Sequence, residues 1–216
     1  MNVRGVIFDL DGTLADTIPI CVEAFQRTVK AHSGPHLSRA EIESLFGPTE
    51  EGMLQRVLPE YSPAALETYL AEYERLHTAC TAPFPGMSAL LDTLHIRRIK
   101  LAVVTGKGPR SADISCRTLG VLGYFTRIEA GSPHGIIKPA AIARVIAEWP
   151  LRPSEVAYIG DAPADIEAAR SAGVVSVGAA WAPAANAGLL QAARPDFLFR
   201  AVPDFASWIT HAVDAV

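Results

Sequence analysis

Val6-Ile7-Phe8-Asp9-Leu10-Asp11-Gly12-Thr13-Leu14 (VIFDLDGTL) decides the fold. Val6, Ile7 and Phe8 form a short apolar run, β-branched and then aromatic, and Asp9, Asp11 and Gly12 follow at once. An apolar run bounded by Asp and Gly reads as a buried strand ending in a turn. In an open α/β sheet the ligand crevice lies beyond the carboxyl ends of the strands, which puts Asp9 and Asp11 at its rim. Two carboxylates this close repel unless a positive group stands between them, and a hard cation with oxygen ligands, Mg2+ above all, answers that need. An ordinary Asp-Gly turn is the competing reading of this stretch taken alone.

Downstream, the pattern changes twice. Ile18, Val22, Phe25 and Val29 repeat at helical spacing, Ser38 and Glu41 stand at capping-box spacing, and Ser62-Pro63 precedes Leu66, Tyr69, Leu70 and Tyr73. Thr49 can cap a further helix through Met53, Leu54 and Val57, which Gly52 should weaken. Residues 16–82 therefore read as helices alone. From Pro83 onward the pattern alternates: helix at 87–97, strand at 101–104, helix at 109–119 and strand at 127–130. It continues with helix at 139–149, strand at 156–159, helix at 163–172, strand at 174–177, a last strand at 196–199 and a closing helix. Alternation of this kind predicts a doubly wound parallel sheet covered by helices on both faces. The expected organisation is an α/β core made of residues 1–15 and 83–216, with residues 16–82 inserted as an all-helical cap domain.

Three further polar groups fall at the ends of predicted elements on the same rim: Thr105-Gly106 after one strand, Lys138 after the stretch 131–137, and Asp161 after another strand with Asp165 four residues on. Phosphoryl transfer needs a nucleophile, charge neutralisation and in-line positioning, and these residue types supply all three. Gly106 and Gly108, just before a helix, leave room for an anion at its N-terminus.

In this order the residues resemble the four motifs of the haloacid dehalogenase-like (HAD) phosphohydrolases, over nearly the whole chain. The pattern is most similar to the phosphoglycolate-phosphatase-like branch with a small helical cap. The resemblance implies a Rossmann-like core, Asp9 as nucleophile and Asp11 as general acid/base. It further implies Thr105 and Gly106 at the phosphoryl oxygens, and Lys138 steadying phosphate and nucleophile. Mg2+ would be held by Asp9, Asp161 and Asp165 and by the backbone carbonyl of Asp11. Ala162 departs from the pattern, since many members carry Ser or Thr there. The implied activity is hydrolysis of a small phosphate monoester, phosphoglycolate-like or a sugar phosphate, through an aspartyl-phosphate. A phosphotransferase or sugar-phosphate mutase would share these motifs. A receiver-type signalling module also combines Asp, Thr, Lys and Mg2+, but its phosphorylated Asp follows a middle strand of a shorter domain.

Composition narrows the partners. The 216-residue chain is half hydrophobic, with net charge -4 and pI about 5.9, and shows no basic footprint for nucleic acid. No apolar stretch approaches the roughly 18–20 residues of a membrane span, and no signal peptide is evident. Cys21, Cys80 and Cys116 lack metal or disulfide spacing and read as free buried thiols of a cytoplasmic protein. A small phosphorylated metabolite is the expected partner, with monomer and dimer both open.

Overall fold

The computed structural model describes residues 2–213. Strand β1 (Gly5–Phe8) is followed by four helices, α1 (Ile18–Ala31), α2 (Arg39–Glu43), α3 (Glu50–Val57) and α4 (Pro63–Leu76). Alternation then begins: α5 (Met87–Ile96), β2 (Lys100–Val104), α6 (Pro109–Thr118), β3 (Arg127–Glu129), α7 (Lys138–Ala147) and β4 (Val156–Gly160). It ends with α8 (Pro163–Ala172), β5 (Val175–Ala179), α9 (Ala187–Ala192), β6 (Phe197–Phe199) and α10 (Val202–Val213). The six strands form one sheet in the order β3-β2-β1-β4-β5-β6, and every pair is parallel. This is the expected doubly wound, Rossmann-like architecture.

The first strand lies inside the sheet, between β2 and β4, and is buried throughout. Successive side chains of a strand point to opposite faces. Val6 and Phe8 pack with Leu90, Leu94, Phe205 and Ile209 on one side, and Ile7 packs with Ile142, Val145 and Tyr158 on the other. Each face is thus covered by helices, which is why these strands are continuously apolar. The four early helices build a separate apolar cluster around Phe25, Leu54, Tyr69 and Tyr73. The two connections of this helical block to the rest of the chain lie side by side, where the Phe84 N–H donates to the Leu14 carbonyl (2.9 Å).

Details differ from the sequence reading for local reasons. The fifth strand runs Val175–Ala179, not 174–177, because small Gly178 and Ala179 continue the pairing toward β6. The last strand starts at Phe197, since the Asp196 carboxylate instead accepts from the Ser176 N–H (2.8 Å) and hydroxyl (2.7 Å). Ser38 and Glu41 do form a capping box. Thr49 and Ser62 hold N-cap positions without a side-chain cap bond. Gly52 is a requirement and not a weakness, because a Cβ there would come within 2.2 Å of the Pro133 carbonyl oxygen. Cys21 and Cys116 are buried, whereas Cys80 is partly exposed. No described helix is long and apolar enough to cross a membrane.

Candidate active site

The parallel order sends the ends of β1, β2 and β4 to one rim of the sheet. Directly after β1, the Asp9 N–H still donates to Ile159 on β4 (2.8 Å), which fixes the backbone from which the carboxylate projects. Lys138 opens α7, across a loop from β3. Its ammonium bridges Asp9 Oδ2 (2.7 Å) and Asp165 Oδ1 (2.6 Å). Asp165 is fully buried; it also takes the Ala162 N–H (3.1 Å), and the Tyr158 hydroxyl lies 3.1 Å from its Oδ1. Ala162 therefore contributes through its backbone, whatever its side chain. Asp9, Asp161 and Asp165 offer oxygens that all lie within 4.8 Å of one another.

The electrostatics of this cluster are strained. Burial, opposed by Lys138 and reinforced by Asp165, pushes the Asp9 carboxyl up to about 6. Burial together with Asp165 and Asp9 holds Asp161 well above the carboxylate range. Burial would lower the Lys138 ammonium, but Asp165 and Asp9 outweigh it and raise it. One lysine thus faces three acids, and Asp9 Oδ1 is buried with no hydrogen-bond partner. The backbone is shaped to leave this space: a Cβ on Gly12 (φ 72°) would meet Asp161 Oδ2 at 2.2 Å, and one on Gly160 would meet the Asp165 carboxylate at 2.5 Å. An orphaned carboxylate oxygen among hard oxygen donors fits a divalent cation such as Mg2+. Asp9, Asp161 and Asp165 are the side chains that could hold it. Protons compete with a cation for the same oxygens. Because Asp9 holds its proton until about 6 and the Asp161 carboxyl is also raised well above its ordinary value, apparent Mg2+ affinity should increase with pH up to the point where both are ionised. Below it, affinity should fall by about tenfold per unit for each proton displaced. Calorimetric Mg2+ titrations at pH 5, 6 and 7.5 check this.

Asp11 faces elsewhere. Its Oδ1 accepts from the Thr17 hydroxyl, from Lys107 Nζ (3.2 Å) and from the Cys21 thiol (3.5 Å). Its carboxylate stands outside the three-acid cluster. Lys107 is buried, 4.1 Å above the Tyr73 ring, and nearby acids hold it charged against burial, Asp11 foremost. Burial and Asp11 push Cys21 up to about 12, so it is a thiol and not a nucleophile. Thr105 is buried at the end of β2, and Thr105 and Gly106 line the cavity beside Asp9 and Lys138.

The helix N-terminus after Gly108 does bind an anion, but one from the chain itself. The Glu50 carboxylate, on α3, accepts from the Gly108 N–H (2.8 Å) and the Ser111 hydroxyl. That corrects the expectation that this end of α6 is free for a ligand. A second tie joins the Thr49 N–H to the Ser132 carbonyl (3.0 Å). Sequence reasoning gave no role to Lys107, Thr17 or Tyr158, and read Glu50 only as part of a loop at 47–50, facing substrate or simply ending one helix and starting the next. Lys107 stands two residues from Thr105, and Tyr158 is a polar tip in an otherwise apolar strand, a signal that it needs a buried partner.

Above the rim, the early helices wall one side of a cavity of about 260 Å³ that stays open to solvent beside Phe46 and Ile136. This arrangement can bind a phosphoryl group at a carboxylate while excluding water from one side. A family model described as haloacid dehalogenase-like hydrolase matches residues 6–179. The pyrophosphatase PpaX of Anoxybacillus flavithermus is 27% identical, covering 96% of this chain and 97% of its own length. The phosphoglycolate phosphatase of Synechococcus elongatus is 26% identical, covering 96% and 98%. Among solved structures, CbbY from Rhodobacter sphaeroides in complex with phosphate shares the fold with a TM-score of 0.76 at 21% identity, over 91% of this chain and 93% of that one.

Proposed function

The chain belongs to the haloacid dehalogenase-like hydrolase family, and from that membership we propose that it is a Mg2+-dependent phosphatase of a small phosphate monoester, working through an aspartyl-phosphate. The observation that carries this reading is the Asp9 carboxylate, held by Lys138 on one oxygen and orphaned on the other at the floor of the cavity beneath the early helices. A carboxylate so placed can attack phosphorus.

In the first step an Asp9 oxygen forms the new P–O bond while the ester P–O bond breaks. The leaving oxygen keeps the electron pair and takes a proton from Asp11. In the second step Asp11 takes a proton from water, the water oxygen attacks phosphorus, and the bond to Asp9 breaks to free phosphate. Oδ1 of Asp11 is anchored by Thr17, Lys107 and Cys21, which leaves Oδ2 as the oxygen to move the proton. Lys138 spreads the charge of the equatorial oxygens and holds Asp9 in line. Thr105 and Gly106 line the side of the cavity where the remaining oxygens would lie. Mg2+, when held by Asp9, Asp161, Asp165 and the Asp11 carbonyl, would neutralise the charge of the transferring group.

We further propose that residues 16–82 act as a cap over a core of residues 1–15 and 83–216, supported by the helices' own apolar cluster and the adjacent Leu14 and Phe84 connections. The experiment is phosphate release from p-nitrophenyl phosphate and a panel of small esters. Release that stops with a chelator and returns with Mg2+ supports the reading. Release that ignores the chelator contradicts it.

A further inference from the structure

We infer that the leaving group of the substrate is uncharged and largely hydrocarbon. This rests on the phosphatase reading above and goes further, because the groups facing Asp9 across the cavity restrict what can occupy it.

The cavity has two unlike walls. Its floor is polar and carries Asp9, Asp11, Asp161, Thr105 and Lys138. The wall made by the early helices is apolar: Ile18 and Phe25 from α1, Met53 from α3, and the ring of Tyr69 from α4. Phe46 and Ile136 stand at the cavity as large hydrophobic side chains left 42% and 64% exposed. Ile136 lies against the segment that carries Phe46, since a Cβ built on the neighbouring Gly47 would stand 3.4 Å from the Ile136 side chain. With phosphorus at Asp9, the leaving group points toward this wall.

Charge argues the same way. The two cations lining the cavity are Lys107 and Lys138, and no Arg or His joins them among the described residues. Lys138 is shared by Asp9 and Asp165, and Lys107 is engaged by Asp11. The charged residue that the helical block contributes is Glu50, an anion already satisfied by Gly108 and Ser111. A second phosphoryl group or a carboxylate on the leaving group would be desolvated with no unengaged side-chain cation on this wall to meet it. The hydroxyls of a sugar would fare poorly for a related reason, since Tyr69 carries the one hydroxyl on that wall. A hydrocarbon group loses nothing there and gains from leaving water.

The test is a homologous series of n-alkyl phosphates, from ethyl to octyl, with Mg2+ and the unmodified protein, compared with pyrophosphate, phosphoglycolate and glucose phosphate. The expected result is a kcat/KM that rises about three- to fourfold per methylene until the cavity is full, the factor given by burying one CH2 group. The longer alkyl esters should exceed pyrophosphate and phosphoglycolate. Phe46→Ala and Ile136→Ser should flatten the slope. A flat series, or a charged substrate that outperforms butyl phosphate, overturns the inference and leaves the phosphatase reading intact. If neither the series, nor the charged esters, nor p-nitrophenyl phosphate releases phosphate, the phosphatase reading falls and the inference with it.

Discussion

Replacing Asp9 by asparagine is expected to lower Mg2+-dependent phosphate release by roughly four orders of magnitude or more, the scale of losing a covalent nucleophile, without unfolding the protein. An amide has the shape of the carboxylate and can still accept from Lys138, but it cannot attack phosphorus usefully. The effect on stability has a definite sign. Burial raises the Asp9 carboxyl from 3.8 to about 6, so the fold binds this proton more tightly than the unfolded chain does. The stabilisation from that bound proton is fully present below about pH 4 and is lost as pH rises to about 6. At pH 7, without metal, the ionised side chain is therefore a cost that asparagine removes. Asp9→Asn should melt no lower than the parent in chelator and gain less from added Mg2+. Thermal unfolding with and without Mg2+ measures both. Substantial turnover by the folded variant would rule out Asp9 as nucleophile.

The second large effect is expected at Lys138. Its ammonium is the counter-ion of Asp9 and Asp165, and its side chain is 15% exposed. Lys138→Met keeps the apolar stem and leaves two buried carboxylates facing each other. Breaking a buried pair by removing one partner costs about 3–5 kcal/mol, and at about 2–4 °C per kcal/mol for a chain of this size the metal-free variant should melt visibly lower. Mg2+ should restore more stability to this variant than it adds to the parent, because a divalent cation relieves the same repulsion. Turnover at saturating Mg2+ should still fall by about 10²- to 10³-fold, as for loss of a transition-state charge donor. An unchanged melting temperature would mean that Lys138 is not the counter-ion of these acids in solution.

Much of this site was legible in the chain before the fold was seen. Asp9, Thr105, Lys138, Asp161 and Asp165 were each placed at the end of an apolar run or the start of a helix, and a parallel sheet brings such ends to one rim. That logic is local, so it survives shifts of strand boundary like the one at Val175–Ala179. What escaped depends on packing between distant segments. Asp11 stands near Lys107 because α1 and α4 press Cys21 and Tyr73 against the loop after β2. Glu50 reaches Gly108 only because α3 lies on the sheet rim, and Gly52 permits that approach. Nothing in the spacing of residues 47–52 distinguishes a plain helix stop from a segment seated on the core. The free helix end expected after Gly108 failed for the same reason, since its occupant is 58 positions earlier in the chain.

The central claim is that Asp9 carries the phosphoryl group during turnover, and it can be observed directly. In the Asp11→Asn protein the base that activates water is missing, so a substrate with a good leaving group, p-nitrophenyl phosphate, should load the enzyme faster than it can be cleared. After acid quench and proteolysis, mass spectrometry should find the peptide containing VIFDLDGTL heavier by one phosphoryl group, with the modification at Asp9 and absent from an Asp9→Asn, Asp11→Asn control. A phosphoryl group found on another residue, or normal turnover by Asp11→Asn with no modified peptide, would contradict the account.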